Sequence, residues 1–241
     1  DRDLGRVSSL ELATAYVAKP LVAPALAIIF IILVGIIAAT TMSALNNAAV
    51  IVIAAVLGAY MALNIGANDV ANNMGPAVGA NALTMAGAIA IAVVFESAGA
   101  IIAGGDVVST IAKGIIAPST MQSADVFIWA MMAALLSAAL WVNLATWVGA
   151  PVSTTHSVVG GVMGAGIAAA GFSAVNWGTM SKIAASWVIS PVLGGVIAAA
   201  FLWFIKTRII YREDKISAAK KWVPVLVGIM AGAFASYLAL K

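Results

Sequence analysis

Between Lys19 and Asp69 the chain carries no acidic or basic side chain. A stretch of that length without charge suits no water-facing fold, because a globule needs charged residues over its surface. A bilayer accepts it readily, since about 20 mostly apolar residues in a helix cross a hydrocarbon core of roughly 30 Å. Leu21 to Met42 meets that requirement, a short polar turn from Ser43 to Asn47 follows, and a second run extends from Ala48 to about Asn64. The pair predicts a helical hairpin. Further runs lie at Met85 to Ala103, Val126 to Val148, Ile183 to Ile205 and Trp222 to Leu240. The expected fold is all-α, a polytopic transmembrane helical protein of a plasma membrane or bacterial inner membrane.

Composition agrees. Of 241 residues, 63% are hydrophobic and 9% charged, with a mean hydropathy of +1.10, whereas an ordinary soluble domain has about 25% charged residues. A soluble globule, a disordered chain and a nucleic-acid binder are excluded, and the net charge of +3 says little about nucleic acid. With no Cys there is no disulfide or thiolate site, and one His leaves too few nitrogen ligands for zinc, so no cofactor is expected. The sequence starts at Asp1 rather than Met with no cleavable signal before the first apolar run. The expectation is a processed or truncated piece.

Two apolar stretches are too short or too interrupted by Gly and Pro for ordinary spans: Val107 to Pro118, and Pro151 to Gly171. They read as half-helices or re-entrant hairpins, with a kinked continuous helix as the alternative. Broken backbone at membrane depth is tolerated only where protein buries it or a wet cavity adjoins it, so such breaks mark a pathway. Lys206, Arg208, Arg212, Lys215, Lys220 and Lys221 make the loop between the last two runs cytoplasmic by the positive-inside rule. Arg2, Arg6 and Lys19 suggest a cytoplasmic start with an interfacial helix around Leu10 to Val17. Five full crossings between Lys19 and Lys206 would separate the two sides, so either a broken segment crosses or the N-terminus is outside. Trp141, Trp147, Trp177, Trp187, Trp203 and Trp222 fall mostly near span ends, as interfacial belts do.

Asp69, Glu96, Asp106 and Lys113 lie within or beside apolar sequence, where an ionised group needs a partner or water. The densest polar run, Asn64 to Pro76, carries Asn68, Asp69, Asn72 and Asn73, with Gly66, Gly75 and Pro76 as an expected helix break. Carboxylate and amide oxygens with freed backbone carbonyls suit a hard cation such as sodium; an extramembrane turn is the alternative. A second cluster, Pro151 to Ser157, places Ser153, Thr154, Thr155 and Ser157 around a helix start. Free N–H groups there favour an anion, with neutral hydroxyls adding donors. Simple capping by Ser153 or Thr154 would explain the same residues. Neither cluster contains Arg or Lys, so a multiply charged anion held there needs cations to accompany it, and cotransport follows. Lys113 is the nearby basic candidate in sequence.

Gly66-Ala67-Asn68-Asp69-Val70-Ala71-Asn72 resembles the G-A-N-D-V-A-N signature of the inorganic phosphate transporter family, sodium- or proton-coupled phosphate symporters. Pro151-Val152-Ser153-Thr154-Thr155-His156 resembles that family's P-V-S-T-T-H hairpin tip. Phe95-Glu96 and the run from Thr110 to Ile115 resemble its F-E and T-I-x-K-G-I stretches. The match extends from about Ala59 to Gly171, with order and spacing kept. The resemblance implies an alternating-access transporter of inorganic phosphate with sodium or protons, built from two inverted repeats and not an enzyme. This chain holds one copy of each motif. It is therefore expected to be one repeat, needing the missing second half or a second copy.

The implied organisation is a polar or interfacial segment over 1–20, an additional hairpin region over 21–49 and the repeat over 50–205. A basic cytoplasmic loop over 206–221 and a final helix over 222–241 complete it. By the same resemblance Asp69, Asn68 and Asn72 would hold sodium, with Asn68 and Asn72 also reaching phosphate, while Ser153, Thr154 and Thr155 would bind phosphate. Glu96, Lys113 and His156 match family positions with possible roles in coupling or gating. His156 beside Ser153 and Ser157 also permits a serine-hydrolase reading, but no oxyanion-hole or third-residue signature accompanies it. Sulfate or another tetrahedral oxyanion remains an alternative substrate, and a non-transporting scaffold or channel component an alternative class.

Overall fold

A computed structural model of the chain describes the backbone of residues 2–240 and the side chains of 21–240 apart from 103, 106, 107, 112 and 113. The side chains of Asp106 and Lys113, and those of the expected interfacial segment at 10–17, lie outside the described residues. Seven α-helices follow in order: α1 Arg2–Thr41, α2 Ala48–Gly79, α3 Met85–Ser109, α4 Ala124–Trp147, α5 Thr154–Ala170, α6 Trp177–Ile205 and α7 Lys215–Ala239. Among the described residues six helices are long and apolar enough to cross a membrane, and no strand occurs beyond an isolated Ile116–Val175 bridge. Apolar side chains face outward along them, with Ile101 85% and Trp147 83% exposed. Surfaces of that kind belong in lipid, so the chain is a multi-pass membrane protein.

The helix starts follow their caps. Ser123 accepts from the Val126 N–H at 3.3 Å to open α4, and Asp214 accepts from the Ser217 N–H at 3.0 Å to open α7. Asn176 accepts from the Thr179 N–H at 3.1 Å, which explains why α6 begins at Trp177 rather than near Ile183. Gly149, at φ +71°, ends α4 in a Schellman motif, with Ala150 N–H donating to the Ala145 carbonyl at 2.8 Å and Gly149 N–H to Thr146 at 3.1 Å. Five residues later, at Thr154, α5 begins.

One expectation is overturned. The polar run from Asn64 to Pro76 does not break its helix: α2 continues to Gly79, with Pro76 inside it. A glycine in a helix costs only about 1 kcal/mol, and the one bond from these amides to their own backbone, Asn64 Nδ2 to the Tyr60 carbonyl at 2.8 Å, runs one turn back along the helix without opening it. Asn64 and Asn68 are instead engaged by α4. Pro76 still leaves one mark, since it has no N–H for the Asn72 carbonyl four residues back.

The chain forms two compact units, 1–179 and 180–241. In the first, α2 lies against α1, α3, α4 and α5, and α4 against α5. Met61, Ala138, Ala139 and Val142 form a core between α2 and α4, joined by Tyr60, Val152 and Val158. Of the two segments expected to be broken, the first is interrupted and the second is a single short helix behind a non-helical start. After α3 a π-helical turn at Thr110–Gly114 ends at Ile115, whose backbone is still in the right-handed region; Ile115 and Ile116 are fully buried, and Asn176 N–H donates to the Ile115 carbonyl at 2.9 Å. The 17 residues of α5 reach about 25 Å at 1.5 Å per residue, short of the full hydrocarbon core. The second unit holds most of α6, a π-turn at Lys206–Ile210 and α7.

Candidate functional site

The two polar clusters, far apart in sequence, meet where the middle of α2 passes the α4–α5 turn. Thr154, the first residue of α5 and buried, donates its hydroxyl proton to Asp69 Oδ2 at 2.9 Å. Asp69 is half-buried. Beside it Asn68, 4% exposed, acts as a clasp. Its Nδ2 donates to Thr146 Oγ1 at 3.0 Å and, more weakly, to the Ala150 carbonyl at 3.4 Å. Its Oδ1 accepts from Asn72 Nδ2 at 3.0 Å and from the Val152 N–H at 3.4 Å. A carboxamide has two donor protons and two acceptor sites. In this conformation these bonds engage both ends of the Asn68 amide and hold the turn against α2.

Asn72 and Asn73 are exposed on α2. Asn72 uses one amide proton on Asn68, which leaves its Oδ1 and the backbone carbonyl released by Pro76 one turn from Asp69. Ser153 is the N-cap of α5: its Oγ accepts from the His156 N–H at 3.2 Å. The capping alternative is thus real for Ser153, yet it occupies an oxygen lone pair and leaves the hydroxyl proton to donate elsewhere. Thr155 and His156 are exposed, and the helix itself provides no partner for the N–H groups of Thr154 and Thr155. Ser153, His156 and Ser157 border a cavity of about 590 Å³ with Ser137 and Trp141 of α4.

Glu96 is not part of this cluster. It lies on α3 along a separate, mostly apolar groove of about 870 Å³ whose α2 wall includes Gly66, Val70 and Met74. Sequence reasoning missed the α4 side of the site. Asn143 donates to Asn64 Oδ1 at 2.9 Å, Asn64 donates to the Tyr60 carbonyl at 2.8 Å, and Thr146 receives Asn68 while donating to the Val142 carbonyl at 2.8 Å. The signal was available: Asn64, Asn68 and Asn72 recur at intervals of four on one helix face, and Asn143 and Thr146 interrupt an apolar helix at a spacing of three.

Chemically, a half-buried carboxylate whose partner is a neutral hydroxyl has no opposite charge beside it from that partner and attracts a cation. Among the described residues no three His, Cys, Asp or Glu side chains converge, so the donor set offers oxygens of low total charge. A monovalent hard cation fits that set better than a transition metal.

The chain is similar to several known proteins. The sequence profile described as "Phosphate transporter family" matches residues 65–240. A Helicobacter pylori (strain J99) protein named "Putative phosphate permease" is 53% identical over 239 residues, covering 99% of this chain and 45% of the relative. A protein of the same designation from Pyrococcus abyssi is 45% identical over 72% of this chain and 43% of its own length. A solved structure described as "The sodium-dependent phosphate transporter" is 43% identical, with a TM-score of 0.67 over 71% of this chain and 42% of that one. The chain spans somewhat under half the length of each.

Proposed function

The chain belongs to the phosphate transporter family, and from that premise we propose that it forms one repeat of a symporter carrying inorganic phosphate with sodium. The observation that carries this reading is the 2.9 Å bond from the Thr154 hydroxyl to Asp69, which ties the two motifs together. A threonine has one hydroxyl proton, so Thr154 cannot donate to phosphate while it donates to Asp69. Sodium at Asp69, completed by Asn72 oxygens, takes over compensation of the carboxylate and frees that proton for a phosphate oxygen. Ser153 adds its own hydroxyl, Thr155 a second, and the N-terminus of α5 adds the N–H groups of Thr154 and Thr155 with the positive end of the helix dipole. Neither motif contains Arg or Lys, so sodium supplies the charge that lets phosphate enter an apolar surround. Each ion thereby improves the site for the other.

The site as described has one wall. The relatives run to more than twice this length, and an inverted second repeat would supply the opposite wall near the bilayer midplane, with alternating access arising from movement of one repeat against the other. Two identical copies inserted in one orientation cannot reproduce an inverted pair, which favours the second half over a homodimer.

Radiolabelled phosphate uptake into proteoliposomes tests the proposal, using the chain co-expressed with the second half of a full-length relative. Uptake is expected to depend on an inward sodium gradient, to persist under excess sulfate and to vanish in Asp69→Asn while insertion is unchanged. Wild-type uptake with the same cation dependence in Asp69→Asn would remove Asp69 from the mechanism. Robust sodium-driven uptake by the monomeric chain alone would contradict the one-repeat reading.

A further inference from the structure

The turn between α6 and α7 gathers the densest charge in the chain. Lys206, Arg208, Arg212, Lys215, Lys220 and Lys221 stand against Glu213 and Asp214. Asp214 is already engaged as the cap of α7, where hydrogen bonds from Ser217 hold its carboxyl below the ordinary range. Two of the cations converge on one ring: Arg208 Cζ lies 5.9 Å and Lys221 Nζ 5.6 Å from the centroid of the Trp222 ring. Phe204 braces that indole edge-on, with centroids 5.0 Å apart and planes at 87°. An aromatic face attracts a cation without neutralising it, so the ring holds two like charges without supplying an anion. The π-turn at Lys206–Ile210, with the Tyr211 N–H reaching the Lys206 carbonyl at 2.9 Å, places Arg208 beyond the regular end of α6.

Directly beside this cationic pair lies an apolar groove of about 310 Å³ between α6 and α7, lined by Ala200, Phe201, Phe204, Trp222, Leu226 and Ile229. Phe204 and Trp222 belong to both features. The groove and the cations lie on the same two candidate spans, with Arg208 and Lys221 toward the loop that joins them and the groove extending from there along the apolar parts of both. A positive rim continuous with an apolar slot has the shape of an amphiphile with a negative head.

We propose that the α6–α7 hairpin end binds one anionic phospholipid, with its headgroup phosphate between Arg208 and Lys221 and an acyl chain along the groove. The charge selects the sign of the head, because a zwitterionic lipid would bring its ammonium toward two cations. The groove selects a lipid over a free anion, which would have no use for it. Basic residues at the cytoplasmic ends of spans are the positions from which anionic headgroups are held.

Native mass spectrometry of the detergent-purified chain tests this, with dioleoyl phosphatidylglycerol, dioleoyl phosphatidylcholine and inorganic phosphate titrated separately. Phosphatidylglycerol should bind at least about tenfold more tightly than phosphatidylcholine, the Debye-screened share of that preference falling with salt. R208Q/K221Q should erase the preference, R208K/K221R should keep it, and A200F, which narrows the groove, should weaken phosphatidylglycerol with helicity by circular dichroism unchanged. Equal retention of phosphatidylglycerol in R208Q/K221Q and wild type would overturn the proposal. So would inorganic phosphate displacing the lipid through those same two residues. Loss of bound lipid on co-expression with the second half would also overturn it, identifying the groove as a protein interface.

Discussion

Helix α5 has two unlike faces, and the difference shows how one short helix can be both fixed and receptive. On its inner face Thr154, Val159, Val162 and Gly166 are buried. A Cβ on Gly166 would collide with Ile116, coming 2.7 Å from its Cγ1. On the outer face Ser153, His156, Ser157 and Gly160 border an open cavity, and nothing stands within 4 Å of a Cβ built on Gly160. Close packing on one side fixes where the helix starts. That start can then present hydroxyls and N–H groups on the other side without further support.

Substitutions can break this comparison from either side. The largest effect is expected at the start of the helix. Replacing Ser153, Thr154 and Thr155 together by Ala should raise the half-saturating phosphate concentration of the co-expressed protein at least tenfold, because each hydrogen bond to a charged group is worth about 1.5–3 kcal/mol. An unchanged affinity in the uptake assay would leave only capping and packing roles for the three. Next is Gly166→Ala: Ile116 is fully buried and cannot yield, so overpacking should cost about 1–3 kcal/mol, read as a lower unfolding midpoint in detergent. Ser153→Ala alone removes a cap and should cost about 1 kcal/mol in the same assay. Ser153→Gly should recover most of that loss. Gly160→Ala should be the mildest, with stability unchanged or raised by up to about 1 kcal/mol through helix propensity. If Gly160→Ala proved as harmful as Gly166→Ala, the two faces would not differ as described.

Much of this fold was legible because the membrane demands long apolar runs, and length is read directly from sequence. Leu21 to Met42 and Val126 to Val148 match α1 and α4 closely at their span ends. The polar run in α2 was harder. Gly66, Gly75 and Pro76 locally favour a break, but Asn64 and Asn68 find partners in Asn143, Thr146 and the turn after Gly149, and those long-range bonds cannot be seen along the chain. The site shows the same limit. The motifs named Asp69 and Thr154, whereas their direct contact depends on the Schellman turn that reverses α4 into α5. The partners of the Asn68 amide on α4 and in the turn after it are equally invisible along the chain.

The central claim is that Asp69 and Thr154 make sodium and phosphate help each other bind. Phosphate affinity measured by scintillation proximity at low and high sodium, in wild type, Asp69→Asn and Thr154→Val of the co-expressed protein, tests it most directly. A coupling free energy of about 1–3 kcal/mol corresponds to a 5- to 150-fold change in affinity, and it must appear equally in sodium affinity measured with and without phosphate. The account predicts that sodium tightens phosphate within that range in wild type and has little effect in either variant. Sodium tightening phosphate equally in wild type and both variants would contradict it.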